Sequence, residues 1–176
     1  VTAQLKAGGV YGPSILNLKA GFHIGQLLID SIPNRGALSP LVIQSADADS
    51  ANTGIVNSLY NYNSAITIFR GNHITIRKLK LVSPYYNGIL LGYNSQNITV
   101  ENCFIKGGDA TRATIGSQIS GYGLYIGGNW AEMPYYADSN YIIRNSYFDG
   151  GGTGIGAGGS SIVPLKNITI QNNKIQ

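Results

Sequence analysis

The side chains that could do chemistry are few and scattered in this chain of 176 residues. It carries eight acidic residues, two histidines and one cysteine, against twelve lysines and arginines. Asp47 and Asp49 have the alternate spacing that can supply oxygen ligands to Ca²⁺, but no third acid or glycine follows in the order of a calcium loop. A solvated turn is therefore the favoured interpretation, and no metal site is predicted.

The histidines and the cysteine also lack the spacing of a catalytic or metal-binding site. His23 and His73 lie far apart, with no second Cys or His at ligand spacing, so surface or turn positions are favoured for both. Cys103 has no partner for an internal disulfide, and we expect an inert, partly buried thiol. The sequence predicts no catalytic residue and no cofactor.

Aromatic residues are the most informative chemical feature, because tyrosines and the one tryptophan concentrate between residues 85 and 136. Flat rings beside acids and amides suit stacking on sugar rings. The alternative, which the sequence leaves open, is that the rings pack long loops onto the wall of the protein. For a glycan site, the predicted residues are Tyr86, Tyr125, Trp130, Glu132, Tyr135, Tyr136 and Asp138.

A repeat must position these side chains, and it is visible in four aligned segments. They are NHITIRKLKL from Asn72, QNITVENCFI from Gln96, SNYIIRNSYF from Ser139 and KNITIQNNKI from Lys166. Alternate positions are apolar, as a strand with one buried face requires. Matching offsets favour coils stacked in parallel about 4.8 Å apart over an antiparallel sandwich, which does not need them.

The alignment predicts columns of equivalent side chains. The first core column consists of Ile74, Ile98, Tyr141 and Ile168. The corner after the strand consists of Lys78, Asn102, Asn145 and Asn172. Because Asn tolerates left-handed backbone geometry, the chain is predicted to bend there. An exposed ladder of alternating charge is predicted for Arg77, Glu101 and Arg144.

A second strand precedes each of the later copies, and one coil is enlarged. In the strand GLYI, Leu124 and Ile126 are predicted to point inward, so Tyr125 is expected to point outward. The interval from Ile98 to Tyr141 is longer than those on either side. Residues 106–139 are therefore predicted to form an enlarged coil with two loop insertions, which solenoids often place on a binding face.

Charge and hydropathy exclude two classes of partner. The net charge of +4 is spread along the chain without a basic run, which argues against nucleic acid. No apolar run reaches the roughly 18 residues that a membrane helix needs. We expect residues 1–176 to form one domain, interpreted as a segment of a longer chain because the strand pattern continues to Gln176.

The motif G-I-x-L followed by N-I-T-I/V-x-N-C/N-x-I resembles the right-handed parallel β-helix superfamily, the pectin-lyase-like proteins with NosD-type repeats. The resemblance covers residues 64–176, and the preceding region is similar to the opening coils of large secreted surface proteins of Bacteroidota. It implies an all-β fold, a single-stranded right-handed parallel β-helix, at an extracellular or bacterial cell-surface location. Such solenoids commonly carry a capping helix, whose end is expected within residues 1–9.

The superfamily includes polysaccharide lyases and hydrolases, but their signatures are absent here. The chain lacks the N-T-D, D-D, G-H-G and R-I-K pattern of polygalacturonases, the D-P-H-D of alginate epimerases and the R-x-P-x-x-R of lyases. The favoured hypothesis is a non-catalytic module, a structural stalk or a glycan-adhesion element with polysaccharide as its partner. A second is a lyase or hydrolase fragment, its chemistry confined to Asp109, Arg112, Glu132 and Asp138. A third is end-to-end self-assembly into a filament or matrix.

Overall fold

The computed structural model describes residues 9, 11–33, 36–47, 52–58, 64–108, 121–127, 138–149, 153–158 and 165–176. These residues form seventeen β-strands and no helix, so the described chain has no helix that could cross a membrane. The capping helix expected within residues 1–9 falls almost entirely outside this part of the chain, as do most of the two insertions.

The described strands form three parallel sheets. The first contains β1 (Ser14–Leu18), β4 (Leu41–Ser45), β7 (Asn72–Arg77), β10 (Gln96–Glu101), β13 (Ser139–Arg144) and β16 (Lys166–Gln171). The second contains β2 (Gly21–Ile24), β5 (Thr53–Val56), β8 (Lys80–Val82), β11 (Phe104–Lys106), β14 (Tyr147–Phe148) and β17 (Lys174–Ile175). The third contains β3 (Leu27–Asp30), β6 (Ile66–Phe69), β9 (Ile89–Gly92), β12 (Tyr122–Ile126) and β15 (Thr153–Ala157).

Successive strands visit the three sheets in turn, so each circuit of the chain is one coil of a solenoid. The predicted single-stranded parallel architecture is confirmed, and so is its register. Ile98 pairs with Ile74 on one side and with Tyr141 on the other, and Tyr141 pairs in turn with Ile168. Like residues therefore stack directly on one another in the core.

The period-two alternation separates core from surface within single strands. In β13, Ile143 is 0% exposed whereas its neighbour Ile142 is 38% exposed. In β16 and β17, which lie at the edges of their sheets, Ile170 and Ile175 are half exposed. Core burial is thus greatest where a coil has neighbours on both sides.

The corner between the first and second sheets has the backbone geometry predicted for it. The φ angles are 54° at Lys78, 53° at Asn102, 52° at Asn145 and 53° at Asn172. These values lie in the left-handed region that asparagine adopts more readily than other side chains except glycine. The corner column is therefore explained by backbone geometry on four successive coils.

A ladder of asparagine amides joins the coils at the start of the first-sheet strands. The Nδ2 of Asn97 donates to Oδ1 of Asn72 at 2.8 Å, and the Nδ2 of Asn140 donates to Oδ1 of Asn97 at 3.0 Å. Asn167 continues the ladder with a 2.9 Å bond to Asn140. Each amide can both donate and accept, so neighbouring asparagines along the solenoid satisfy one another's hydrogen bonds.

The predicted charge ladder is present. The Nε and Nη2 of Arg144 lie 2.9 and 2.7 Å from Oε2 of Glu101, and Nη1 of Arg77 lies 3.9 Å from Oε1 of the same carboxylate. Arg77 also donates from Nε to Oε1 of Gln44 at 2.7 Å. The row ties four coils together on the outer surface of the first sheet.

The glycines at the entry to the second strand of each repeat are required by close backbone approach. A Cβ added to Gly88 would lie 2.7 Å from the carbonyl oxygen of Gly123, and one added to Gly123 would lie 2.6 Å from that of Gly154. A larger residue at Gly88 or Gly123 would push the coils apart. The G-I-x-L motif therefore reflects coil stacking.

Candidate functional site

The predicted glycan site is only partly within the described residues. Tyr86, Tyr125 and Asp138 are described. Outside the described residues lie Trp130, Glu132, Tyr135 and Tyr136, together with Asp109 and Arg112 of the enzymatic alternative. Of the three described members, Tyr125 and Asp138 are buried and Tyr86 is half-buried.

Tyr125 points away from the core, as expected, but its ring is covered, because the residue is only 5% exposed. It lies outside the core cluster that contains Leu124 and Ile126, as the alternation predicts. Its ring centroid is 5.0 Å from that of Tyr122, at an interplanar angle of 49°. Gly156 of the next coil is the neighbour of Tyr125 in the sheet and leaves room for the two rings.

Tyr86 belongs to the same group of rings. Burial, and secondarily the nearby Tyr93, raises the pKa of Tyr86, while burial followed by Tyr122 and Tyr86 raises that of Tyr125. Tyr93 in turn packs on Phe69 with centroids 4.0 Å apart. These rings are occupied by one another, which favours packing over sugar stacking for the described part of the cluster.

Asp138 is an internal anchor. The residue is 4% exposed, and its Oδ1 accepts a 2.8 Å hydrogen bond from the backbone N–H of Ser95. Burial raises the pKa of Asp138, and the backbone N–H groups of Ser95 and Asn94, together with the nearby Tyr141 hydroxyl, lower it only in part. A carboxyl in this position holds the turn after β9 and has almost no surface to offer a ligand.

Cys103 is the inert thiol that the sequence predicts, and it is more deeply buried than expected. Its Sγ lies 3.4 Å from the carbonyl oxygen of Glu101 and 3.8 Å from that of Ile76. Burial raises the pKa of Cys103 to about 12. The reactive thiolate is therefore scarce at neutral pH, and nucleophilic chemistry at this residue is disfavoured.

The outer face of the second sheet carries a column of rings and ammonium groups that sequence reasoning missed. We call it the ring column; in the order of the coils it consists of Phe22, Gly54, Lys80, Phe104, Tyr147 and Lys174. The rings of Phe104 and Tyr147 stack with centroids 5.3 Å apart. The Nζ of Lys80 lies 5.1 Å from the Phe104 centroid, and that of Lys174 lies 5.1 Å from Tyr147.

Next to the ring column, the corner asparagines carry exposed amides. The side chains of Asn102, Asn145 and Asn172 make no hydrogen bond with any described residue, in contrast to the amide ladder on the first sheet. A groove of about 540 Å³ follows them. We call this surface the corner face, defined by Asn102, Phe104, Asn145, Tyr147, Asn172 and Lys174.

The corner face offers a hydrogen-bonding amide on each of three successive coils. The ring column adds an aromatic edge or an ammonium group beside each amide, because the corner residue and the ring residue are two positions apart. The sequence signal is the repeated Asn-x-Phe, Asn-x-Tyr and Asn-x-Lys at residues 102–104, 145–147 and 172–174. The left-handed corner is sufficient to explain asparagine at these positions, so the sequence gives no separate indication that the side chains are free to bind a ligand.

Comparison with known proteins settles the family. The model of the family described as "right handed beta helix region" matches residues 43–176. The chain belongs to this family. A solved structure similar to this right-handed β-helix is the alginate lyase from Paenibacillus sp. str. FPU-7, with 17% sequence identity and a TM-score of 0.46 over 98% of this chain and 72% of that one. No curated protein matches the sequence.

Three acidic residues in the described part of this right-handed β-helix form ion pairs with lysine or arginine side chains. Asp30 receives a two-point contact from Arg70 at 2.9 and 2.6 Å. Asp149 lies 3.3 Å from the Nζ of Lys106, and Glu101 lies between two arginines. Within the described ranges, no three His, Cys, Asp or Glu residues are grouped so as to hold a metal ion.

Proposed function

We propose that this right-handed β-helix is a non-catalytic module of a secreted or cell-surface protein, and that it binds polysaccharide along the corner face. The observation that carries the proposal is the row of exposed amides on Asn102, Asn145 and Asn172. An amide is both donor and acceptor, as a sugar hydroxyl is, so each coil can exchange hydrogen bonds with one part of a glycan chain.

The spacing of the row suits a linear ligand. Parallel coils repeat about every 4.8 Å, so equivalent amides recur at that interval along the solenoid. A linear polysaccharide also presents its hydroxyls at a regular interval. The faces of the Phe104 and Tyr147 rings are taken up by each other and by lysine. Their edges provide the apolar side of the surface, and the amides supply the hydrogen bonds.

The absence of catalysis is proposed from the state of the described acids. Glycoside hydrolysis uses two carboxyl groups flanking the scissile bond, about 5 to 9.5 Å apart. Asp30, Glu101 and Asp149 are held by cationic side chains, and Asp138 is buried. The fifth described acid, Asp47, is exposed and forms no ion pair with a described residue, and one carboxylate alone does not supply the pair. The continuous stacked core also suits a rigid stalk that holds the corner face away from a cell.

The test is binding to a panel of soluble neutral and acidic polysaccharides, measured by calorimetry on the full chain. Asn145→Gly removes the amide and keeps the left-handed backbone geometry, because glycine adopts it freely. We expect the variant to bind a recognised glycan about fivefold more weakly, from the loss of about one hydrogen bond. The matched control is Asn140→Gly, which changes another left-handed asparagine on a different face.

Three outcomes would overturn the proposal. Equal loss of binding in Asn140→Gly and Asn145→Gly would show that the corner face is not specifically involved. Release of unsaturated or shortened sugars from any substrate would establish catalysis. A loss of binding in Trp130→Ala with none in Asn145→Gly would instead place the glycan on the enlarged coil.

A further inference from the structure

A second groove, of about 370 Å³, runs along the other side of the ring column, away from the corner asparagines. Its wall residues project from the outer face of the second sheet. They are Phe22, Val56, Lys80, Val82, Phe104, Lys106 and Asp149. We call this surface the valine groove. It is independent of the proposed glycan site, although both adjoin Phe104.

The floor of the valine groove is apolar on two successive coils, at Val56 and Val82, and Ile24 extends the same column beyond the groove. Ile24 is the sheet neighbour of Val56, which is the neighbour of Val82. Phe22 is 49% exposed and Ile24 is 70% exposed, although both are large apolar residues. Single exposed apolar side chains are ordinary on protein surfaces, whereas a contiguous group rimmed by polar residues marks an interaction site.

The rim of the valine groove is cationic. The Nζ of Lys80 lies between two rings, 5.5 Å from the Phe22 centroid and 5.1 Å from the Phe104 centroid. Lys106 follows Val82 in the next coil, and its Nζ is 3.3 Å from Asp149 at one end of the groove. Two ammonium groups thus stand beside the apolar floor, with one carboxylate to balance them.

These features distinguish between classes of ligand. A sugar chain on the valine floor would lose hydrogen bonds to water without replacement, because valine side chains offer no donor or acceptor. A second copy of this chain is disfavoured by charge, since the net charge is +4 and the groove itself is cationic. A peptide that alternates apolar and acidic side chains satisfies both the floor and the rim.

We propose that the valine groove docks an extended, acidic segment of a partner protein, with apolar side chains on Val56 and Val82 and carboxylates at Lys80 and Lys106. Apolar contact supplies the area, and the lysines set the charge preference of the site. Binding is therefore expected to weaken as salt screens the rim.

The probe is the fluorescein-labelled peptide Glu-Leu-Glu-Leu-Glu, followed by anisotropy with the full chain. The comparison peptide is Lys-Leu-Lys-Leu-Lys, which has the same apolar side chains and the opposite charge. We expect the acidic peptide to bind at least about tenfold more tightly. Val82→Asp should abolish this binding, and Lys106→Gln should weaken it severalfold, while Lys166→Gln on the first sheet leaves it unchanged.

Val82→Asp tests the groove only if the variant folds. Val82 points outward, so its replacement should fold, and circular dichroism checks this. If Val82→Asp does not fold, the comparison of Lys106→Gln with Lys166→Gln carries the test.

Equal binding of both peptides, or binding that is insensitive to the groove variants, overturns the proposal. Preferential binding of polygalacturonate that Val82→Asp and Lys106→Gln remove also overturns it, because the groove then takes a glycan. Asn145→Gly should leave peptide binding intact, which separates this site from the corner face.

Discussion

The hydroxyl of Tyr141 donates a 2.9 Å hydrogen bond to the backbone carbonyl oxygen of Ser95, across one coil of the solenoid. Tyr141 occupies a column that isoleucine fills in the coils on either side. The ring takes the place of an aliphatic core residue, and its hydroxyl reaches the turn after β9. Asp138 meets the same turn through the N–H of Ser95. These two side chains together fix the turn on the side of the enlarged coil.

The first prediction concerns this hydroxyl. Tyr141→Phe keeps the ring and deletes one of the two hydrogen bonds that the Ser95 carbonyl accepts, the other coming from Ser139. The free energy of unfolding should fall by about 0.5–1.5 kcal/mol. Urea unfolding followed by circular dichroism measures it. Tyr147→Phe is the control, because that hydroxyl bonds Gln176 on the surface, and it should change stability by less than about 0.5 kcal/mol.

The second prediction follows from the raised pKa of Asp138. In the unfolded chain the carboxyl has a pKa of about 3.9, whereas burial raises its pKa in the folded protein. The folded state therefore holds the proton more tightly, and ionisation costs stability. This cost is absent below the unfolded pKa, grows as pH rises towards the folded pKa, and is constant above it.

Asp138→Asn removes the titration and keeps an oxygen to accept the Ser95 N–H. The variant should therefore gain stability relative to the wild type as pH rises from about 4, and the gain should level off above the folded pKa. Chemical unfolding across that pH range measures the difference between the two proteins. A difference that is flat with pH, or that shrinks as pH rises, would contradict the prediction.

The core and the corners could be predicted from the sequence because each depends on a repeat. Stacked coils place equivalent residues in direct contact, so the same physical requirement selects the same residue type at every turn. This explains why the Ile74 column, the left-handed corner at Asn102 and the charge ladder through Glu101 are all confirmed. Where Tyr141 enters the column, the alignment indicates burial but not the hydrogen bond to Ser95.

The candidate sites were less predictable because they depend on what lies against a side chain. Alternation keeps Tyr125 out of the core cluster, but it carries no information on whether Tyr122 covers the ring. The sequence places Asp138 in an insertion as a candidate glycan ligand. In the structure its carboxylate is buried, where it accepts a hydrogen bond from the N–H of Ser95. The stacking of Phe104 on Tyr147 becomes visible only when their coils are registered on the second sheet.

The third prediction uses two adjacent isoleucines with opposite environments. Ile143→Ala should lower the free energy of unfolding by about 2–5 kcal/mol, because it opens a cavity in a packed core. Ile142→Ala removes the same atoms from the outer face of the same strand and should cost less than about 1 kcal/mol. Urea unfolding of the two variants measures the contrast. Similar losses in both would mean that the inward and outward faces of β13 are misassigned.

The fourth prediction concerns Lys78, the one corner residue of its column that is not asparagine. Its φ of 54° matches the 53° of Asn102, yet asparagine adopts this left-handed region several-fold more readily than lysine does. Lys78→Asn should therefore raise the free energy of unfolding, by up to about 1 kcal/mol. The reverse change, Asn102→Lys, should lower it by a similar amount. Thermal and urea unfolding of both variants test the pair. Stabilisation by both substitutions, or by neither, would indicate that neighbouring side chains, rather than the left-handed backbone, decide which residue stands at the corner.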